Sequence, residues 1–595
     1  MNEIIIERLA KLRAKMKKLE VDAYIVPTND FHGSEYVGDY FKSRSYITGF
    51  TGSAGTCVIT MDEAGLWTDG RYFLQAESEL EGTTITLYKM GEAGVPTILE
   101  FLKNKLTKHN CIGFDGRVVS IGFVKSLKQA LNNLELKYNY ELDLVGDIWK
   151  DRPELSHKSV YELGLEYAGE SRTSKFKRVR SALLSAGADM LVLTSLDDIA
   201  WLLNLRGADV ECNPVFLSYV TLSMNECTLY LNESILSKTI INNLETDLVT
   251  IKPYNQIYQD LQSMSKSVVL MIDENKVNYR IYGCVEGHQI VNKLNPTTMF
   301  KAIKNETEIK NAYLAHLKDG VALTKFIYYL KQNIGKVDLT EISASDILER
   351  FRKEQTNFIG LSFETIAGYK EHGAIIHYSA TEATNKTLDQ QSFLLVDSGG
   401  QYLEGTTDVT RTISLGQLSA KEKTYYTLVL KGHLALSNAV FIKGTSGANL
   451  DILARSALFK YGLNYNHGTG HGVGSLLNVH EGPQNISPSV IRANYSFEVG
   501  MITSNEPGVY LPGEFGVRIE NLVLCKENQT TAFGQFLCFD DLTLAPYEID
   551  AIDLSLLTEV EKAQIHAYHQ RVYEMLSPYL TKAENEWLKQ IVEAI

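Results

Sequence analysis

Five residues able to bind metal ions are spread over the second half of the chain, each on or beside an apolar stretch. The first two belong to "SFLLVDSGGQYLEGTTDVTRTISL", and the last two to "MITSNEPGVYLPGEFGVRIENLVL". A carboxylate on a strand that is otherwise apolar is costly unless a cation pairs with it or a metal binds it. The set comprises Asp397, Asp408, His471, Glu506 and Glu520.

The charges of this set indicate which ions it could hold. Four carboxylates converging without cations would repel one another, whereas two divalent ions balance four negative charges with four positive ones. This is the composition of a two-metal hydrolytic site. An oxygen-rich set with one imidazole and no thiolate favours a hard cation such as Mn²⁺ over structural zinc.

The stretch "NHGTGHGVG" places His467 and His471 four residues apart among four glycines. Each glycine costs a helix roughly 1 kcal/mol relative to alanine. The pair therefore does not form the helical face of a zincin. Glycine instead permits close approach of the backbone, which predicts a loop or distorted strand that holds an imidazole at a crowded site.

The predicted elements around these residues are strands and capped helices. Two apolar runs flank Ser398-Gly399-Gly400, which predicts a hairpin carrying both aspartates. Arg518 and Glu520 are two residues apart and therefore share a strand face. Asn305 with Glu308, and Thr558 with Glu561, are spaced as capping boxes and predict helix starts. A further helix is predicted over 422–440.

The first half of the chain contains an internal repetition. Arg8–Val26 and Lys175–Leu193 each combine a basic amphipathic helix, a turn with an acidic residue and an apolar strand. "SYITGFTG" and "AWLLNLRG" follow at matching distances, and each ends in glycine. The pattern predicts two related α/β domains. The charged segment from Asp151 to Arg172 is the predicted linker between them.

Composition excludes several classes of function. The chain has 595 residues, 44% of them hydrophobic and 22% charged, as in ordinary globular proteins of several domains. A net charge of −14 argues against nucleic acid or an anionic membrane as the main partner. The 7 cysteines form no CxxC pair. The amino-terminal segment has no signal-peptide pattern and no stretch is apolar enough to span a membrane, so we expect a cytoplasmic protein.

The order of the five residues, together with "HGTGHGVG", "NEPGVY" and "GVRIEN", resembles the pita-bread metallopeptidases. "YITGFTGSAG" and "WTDGRYFLQA" resemble the amino-terminal domain of the long, three-domain Xaa-Pro aminopeptidases of that family. The resemblance implies creatinase-type α/β domains over 1–157 and 158–301. It further implies an α+β pita-bread catalytic domain over 302–535 and a helical carboxy-terminal extension over 536–595.

The resemblance also implies roles for individual residues. Asp397 binds one of two metal ions, Asp408 and Glu520 bridge them, and His471 with Glu506 completes the second site. A hydroxide between the ions is the nucleophile. His480 and Glu506 are the expected catalytic residues, and His480 stabilises the tetrahedral intermediate. The expected substrate-binding residues are His377, His467, His480, Tyr510 and Arg518, with Arg518 also holding a ligand carboxylate.

The implied function is removal of an amino-terminal residue that precedes proline, by a homodimer using two Mn²⁺ ions. A proline peptide bond lacks the N–H that many peptidases recognise, so it needs a dedicated pocket. Two alternatives remain. A prolidase of the same fold would cleave only dipeptides, although the duplicated amino-terminal domains argue against it. A metal-free binding protein of this fold would not need the ligands that this chain retains.

Overall fold

The computed structural model describes residues 2–491 and 493–595. The chain forms two compact units. The first comprises the chain up to Gly164 together with Glu170–Thr297, and the second comprises Leu165–Gly169 and Thr298–Ile595.

The first unit begins with a mixed six-stranded sheet. Its strands are β1 (Ala23–Pro27), β2 (Thr56–Thr60), β3 (Ala64–Thr68), β4 (Ile85–Lys89), β5 (Cys111–Phe114) and β6 (Lys137–Asn139). Its helices are α1 (Asn2–Lys18), α2 (Ser43–Thr48), α3 (Phe73–Leu80), α4 (Ile98–Lys105) and α5 (Ile121–Ala130).

A second six-stranded sheet follows in the chain. The strands of this part are β7 (Tyr161–Glu162), β8 (Met190–Leu193), β9 (Leu205–Arg206), β10 (Tyr219–Ser223), β11 (Cys227–Leu231), β12 (Val249–Pro253), β13 (Leu270–Ile272) and β14 (Ile290–Asn292). The helices of this stretch are α6 (Leu165–Ala168), which belongs to the second unit, and α7 (Arg172–Ala186), α8 (Leu196–Leu203), α9 (Lys238–Thr246), α10 (Gln256–Ser263) and α11 (Tyr279–Cys284), which belong to the first.

The two sheets are topological copies. The first has the order β4-β3-β2-β1-β5-β6, and the second has the order β12-β11-β10-β8-β13-β14. Their first strands, β1 and β8, pair antiparallel with the second strand and parallel with the fifth. The predicted duplication is therefore confirmed. The second repeated stretch is helical in both copies, in α2 and α8, and both helices end in a left-handed residue, Gly49 and Asn204.

Among the described residues, seven α-helices follow from the boundary of the two units to the carboxy terminus. They are α12 (Pro296–Ala302), α13 (Glu306–Asn333), α14 (Glu341–Lys353), α15 (Ala420–Ser437), α16 (Gly447–Phe459), α17 (Glu559–Leu576) and α18 (Lys582–Glu593). Asn305 and Glu308 form the predicted capping box of α13, and Thr558 and Glu561 form that of α17. The helix predicted over 422–440 begins earlier because Ser419 caps it, and it ends at Ser437.

The strands of the second unit form several small sheets. They are β15 (Phe358–Leu361), β16 (Ile366–Tyr369), β17 (Phe393–Ser398), β18 (Gly400–Tyr402), β19 (Gly405–Thr406), β20 (Val409–Ser414), β21 (Val440–Ile442), β22 (Gly470–His471), β23 (Asn485–Ile486), β24 (Ile502–Asn505), β25 (Gly508–Leu511), β26 (Phe515–Arg518), β27 (Asn521–Thr531) and β28 (Gly534–Asp541). The main sheets are β16-β17-β20 and β21-β28-β27-β24.

The two strands of the predicted hairpin pair in the structure, but their connection differs from the predicted turn. Strands β17 and β20 pair antiparallel, with Asp397 opposite Thr410. The connection is not a simple Ser-Gly-Gly turn, because β18 and β19 pair within it and β18 also pairs with β15.

The carboxy-terminal helices pack on the same core as α15. Leu430 and Leu434 of α15 and Ile565 and Val572 of α17 are fully or almost fully buried in one hydrophobic cluster. The carboxy-terminal extension is therefore an integral part of the second unit. Among the described residues, no helix is long and apolar enough to cross a membrane.

Candidate metal centre

The two aspartates lie at neighbouring ends of paired strands. Asp397 is the penultimate residue of β17, and Asp408 directly precedes β20. Both are buried, with 9% and 4% of their surface exposed. The antiparallel register of β17 and β20 brings these two ends together. Strand pairing therefore holds the two carboxylates near each other.

The glycines beside His471 allow three chain segments to meet. A Cβ atom on Gly470 would lie 1.9 Å from the carbonyl oxygen of Ser504, and one on Gly472 would lie 2.0 Å from that of Glu481. The backbone N–H of His471 donates to Ser504 Oγ at 2.9 Å. Any side chain at either glycine would push the imidazole away from this position. Close backbone approach, predicted from the sequence, is the reason for the glycines.

The two glutamates are held by neighbouring backbone and hydroxyl groups. Glu506 follows β24, and its Oε1 accepts a hydrogen bond from Ser504 Oγ at 3.1 Å. Glu520 lies between β26 and β27, and its N–H donates to the carbonyl of Thr410 at 3.1 Å. Glu520 is 1% exposed.

All five predicted ligands converge, and His480 lies with them. Three overlapping groups each have ligand atoms within 4.8 Å of one another: Asp397, Asp408 and Glu520; His471, Glu506 and Glu520; and Asp408, His471 and His480. His471 Nε2 lies 3.5 Å from Asp408 Oδ2 and 3.4 Å from Glu506 Oε1. Because the groups share members, they form one continuous cluster.

The electrostatics of the cluster favour the binding of cations. Burial raises the pKa of Asp397 to about 6, against the opposing effect of Arg518. Burial and the charges of Asp408 and Asp397 raise the pKa of Glu520 well above its usual value. Burial alone would lower the pKa of His471, but Asp408 and Glu506 raise it to about 9. The carboxylates thus resist ionising together unless cations neutralise them.

The unsatisfied oxygens fit metal ligation. Within the described part of the chain, Asp397 Oδ1 and Asp408 Oδ1 are buried without a hydrogen-bond partner. Buried carboxylate oxygens are normally hydrogen-bonded or bound to metal. Four carboxylates and an imidazole suit two divalent ions, so the residues present fit a dinuclear centre.

Arg518 connects the cluster to the surrounding groups. Its Nη2 donates to Asp397 Oδ2 at 2.7 Å, and its Nη1 donates to the hydroxyl of Tyr510 at 2.8 Å. Its Nη2 also lies 3.4 Å from the carbonyl oxygen of Ile376, the residue before His377. Arg518 is 1% exposed, so these contacts form away from solvent.

Sequence reasoning missed Thr410. Its hydroxyl donates to Glu520 Oε2 at 2.8 Å and accepts from Arg518 Nε at 3.2 Å. Thr410 thereby joins a predicted ligand to the guanidinium that holds another. The spacing could have indicated this role, because Thr410 lies two residues after Asp408. Residues two apart on a strand share a face.

The other predicted histidines lie around the cluster. His467 Nε2 is hydrogen-bonded to the Tyr510 hydroxyl at 2.9 Å, and His467 Nδ1 contacts the carbonyl of Gly468 at 2.6 Å. The rings of His471 and His480 are 4.3 Å apart, at an angle of 74°. His377 is partly exposed on the segment that Arg518 contacts. These histidines, which are spread over about a hundred residues of the sequence, therefore lie close to the same cluster.

Comparison with known proteins decides the family. Residues 311–527 match the model of metallopeptidase family M24, and residues 535–595 match the C-terminal region of peptidase M24. Residues 8–138 and 151–308 match two models of the creatinase/prolidase N-terminal domain. Xaa-Pro aminopeptidase 1 of Dictyostelium discoideum is 41% identical, over 99% of this chain and 97% of that protein. The chain belongs to the Xaa-Pro aminopeptidases of metallopeptidase family M24.

Solved structures agree with this family. The X-prolyl aminopeptidase of Caenorhabditis elegans, described as a cytosolic enzyme with a di-nuclear active site, has a TM-score of 0.95 and 33% identity. It covers 99% of this chain and 100% of its own. A Xaa-Pro dipeptidase of Bacillus anthracis has a TM-score of 0.51 and 24% identity over 64% of this chain and 99% of its own, and shares only the fold. The predicted fold class, family and hydrolase activity are confirmed.

Proposed function

We propose that this metallopeptidase is a dinuclear aminopeptidase that hydrolyses the bond between an amino-terminal residue and a following proline. The observation that carries the proposal is the convergence of four carboxylates and one imidazole in a buried cluster with unsatisfied oxygens. The full-length similarity to proteins named Xaa-Pro aminopeptidase supports the choice of substrate.

The proposed ligands follow the geometry of the cluster. Asp397 is assigned to one ion, Asp408 and Glu520 to both, and His471 with Glu506 to the other. When bound, two such ions lower the pKa of a coordinated water and polarise the peptide carbonyl. Arg518 and Thr410 hold Asp397 and Glu520 in place through their hydrogen bonds.

The catalytic roles belong to Glu506 and His480. Burial raises the pKa of Glu506 against the opposing charge of His471. We assign Glu506 two steps: its carboxylate accepts the proton that the attacking water loses, and it then donates that proton to the proline nitrogen as the peptide bond breaks. His480 lies beside His471 and Asp408, where an imidazole N–H can stabilise the charge that develops on the carbonyl oxygen.

The remaining histidines and Tyr510 are assigned to the substrate. His377, His467 and Tyr510 offer flat rings that can pack against the proline ring. Tyr510 is fixed between His467 and Arg518, and burial raises its pKa to about 12, so it stays a neutral phenol. Arg518 is assigned to this pocket through its contact with Tyr510, and its guanidinium also pairs with Asp397.

The proposal also includes the identity of the ions and the state of the protein. Carboxylate-rich ligation with one imidazole supports Mn²⁺. A cytoplasmic homodimer is proposed, in keeping with the worm relative described as cytosolic. Metal analysis of the purified protein and light scattering test these points separately.

A competition experiment tests the reaction itself. Ala-Pro-Ala and Ala-Pro are mixed with the Mn²⁺-loaded enzyme, and both are followed by mass spectrometry. A dipeptide specialist must bind the carboxylate directly after proline. The guanidinium of Arg518, which contacts Tyr510 of the proposed proline site, is already paired with Asp397. We expect the tripeptide to be cleaved with the higher kcat/KM and its N-acetyl form to resist cleavage. Faster consumption of the dipeptide would establish a prolidase instead.

A further inference from the structure

A second buried arginine lies on the same strand as Thr410. Arg411 belongs to β20 and is 1% exposed. The five N–H groups of its guanidinium lie within hydrogen-bond distance of six oxygens. The acceptors are the carbonyls of Thr410 (2.9 Å), Glu520 (2.7 Å), Ala545 (2.8 Å) and Pro546 (3.1 Å), Asn521 Oδ1 (2.8 Å) and the hydroxyl of Tyr568 (3.1 Å).

All six acceptors are neutral. Among the ion pairs of the described residues, none involves Arg411. A buried guanidinium without a carboxylate depends on the placement of every neutral acceptor, because each lost hydrogen bond leaves a charged donor without water. Three of the six oxygens, those of Ala545, Pro546 and Tyr568, belong to the carboxy-terminal extension.

Further contacts within the extension hold these oxygens. Tyr568 lies on α17, and its hydroxyl also contacts the carbonyls of Thr543 and Ala545, both at 3.0 Å. Its ring stacks on Tyr547 with centroids 4.6 Å apart. The guanidinium of Arg411 lies 5.0 Å from the Tyr547 ring. Arg411 is thus enclosed by the extension on one side and by β27 on the other.

The other side of Arg411 reaches the proposed bridging ligand. Glu520 is fixed at three points by two consecutive residues. Its carbonyl accepts from Arg411, its N–H donates to the Thr410 carbonyl at 3.1 Å, and its Oε2 accepts from the Thr410 hydroxyl. A displacement of Arg411 therefore moves the backbone from which the Glu520 carboxylate projects.

We propose that the carboxy-terminal extension, acting through Arg411, positions Glu520 and thereby sets the affinity of the metal centre. Arg411 is a positioning residue, since it reaches the ions only through Glu520. The inference rests on the proposed role of Glu520 as a metal ligand. It gives the extension a function in metal binding in addition to its contribution to the core.

The test measures metal binding without any peptide. Apo-protein is titrated with Mn²⁺ against a chelating dye, for the native chain, Tyr568→Phe and Arg411→Lys. Loss of a group that orients a metal ligand typically weakens metal affinity by about 10- to 100-fold. We expect an effect in this range for Arg411→Lys and one of up to about tenfold for Tyr568→Phe.

Two control variants separate positioning from general stability. Tyr573→Phe removes a hydroxyl from the same helix α17 at a side chain that is only partly buried. Leu588→Ala weakens the extension at a side chain that is 1% exposed in α18 and makes none of the contacts to Arg411. We expect both to bind Mn²⁺ like the native chain, although Leu588→Ala lowers the melting temperature.

Native affinity in Tyr568→Phe and Arg411→Lys would overturn the inference. So would a loss in Leu588→Ala equal to that in Tyr568→Phe. Asp408→Ala, measured in parallel, tests whether the proposed ligands bind the metal at all. If Asp408→Ala also binds normally, the proposed ligand set itself is wrong.

Discussion

Glu341 is expected to stabilise the chain segment that carries His377. Its carboxylate is fully buried at the first turn of α14 and accepts hydrogen bonds from four donors. Oε1 accepts from the N–H of Tyr369 at 2.8 Å and from His372 Nδ1 at 2.9 Å. Oε2 accepts from the hydroxyl of Tyr378 at 2.9 Å and from the N–H of Lys386 at 3.0 Å. These donors flank His377, which we assign to the substrate.

The change to test is Glu341→Gln. The amide keeps one acceptor oxygen and turns the other position into a donor. A tyrosine hydroxyl or a histidine can exchange donor and acceptor roles, but a backbone N–H cannot. Whichever way the amide is oriented, the N–H of either Tyr369 or Lys386 is left without an acceptor.

The expected loss of local stability follows from this one unpaired N–H. A buried donor without a partner costs about 1–3 kcal/mol, and the remaining bonds lose the strengthening that a charged acceptor gives. We expect the segment from Tyr369 to Lys386 to be destabilised by about 2–4 kcal/mol. At about 1.4 kcal/mol for each factor of ten, its amides should exchange roughly 30- to 700-fold faster.

Hydrogen exchange followed by mass spectrometry is the suitable assay, because it reports local opening in a chain of more than one unit. Glu371→Gln is the matched control, since Glu371 lies on the same segment and pairs with Lys386, with 41% of its side chain exposed. Exposed pairs contribute about 0–1 kcal/mol, so its exchange should change little. Unchanged exchange in Glu341→Gln, or equal changes in both variants, would refute the reasoning.

Three further predictions concern the site and the core. Asp408→Ala and Glu520→Ala should abolish cleavage of Ala-Pro-Ala and lower the bound metal, as elemental analysis would record; near-normal turnover with two ions retained would contradict the ligand assignment. His480→Ala should lower kcat by about 10²–10³-fold with little change in KM; a raised KM at native kcat would assign His480 to substrate binding. Burial, aided by the charge of Arg411, lowers the pKa of both His433 and His569 from 6.5 to about 3. Both therefore stay neutral in the folded state between pH 6.5 and about pH 3, whereas the unfolded chain binds a proton at each histidine below pH 6.5. The free energy of unfolding is thus unaffected by these groups above pH 6.5. It falls by about 1.4 kcal/mol per pH unit for each histidine as the pH drops towards 3. The loss of thermal stability between pH 6 and pH 4 should be smaller in His569→Gln than in the native chain. Equal losses in the two proteins would count against this explanation.

The sequence by itself determined the chemistry of the site and the class of fold. Asp397, Asp408 and Glu520 are predicted ligands because a carboxylate beside an apolar strand is costly unless a cation pairs with it or a metal binds it. The starts of α13 and α17 were predictable because a capping box is complete within four residues. The duplication was visible because each copy repeats a local order of helix and strand.

Only the tertiary structure decided which groups support those residues. Arg411 and Thr410 are unremarkable in the sequence, and their partners lie more than a hundred residues away at Glu520 and beyond. Glu341 is a helix residue whose acceptor role depends on a segment about 30 residues later. Hydrogen bonds of this kind have no periodicity or spacing along the chain. They arise because every buried polar group must find a partner wherever packing places one, and that requirement is met in three dimensions.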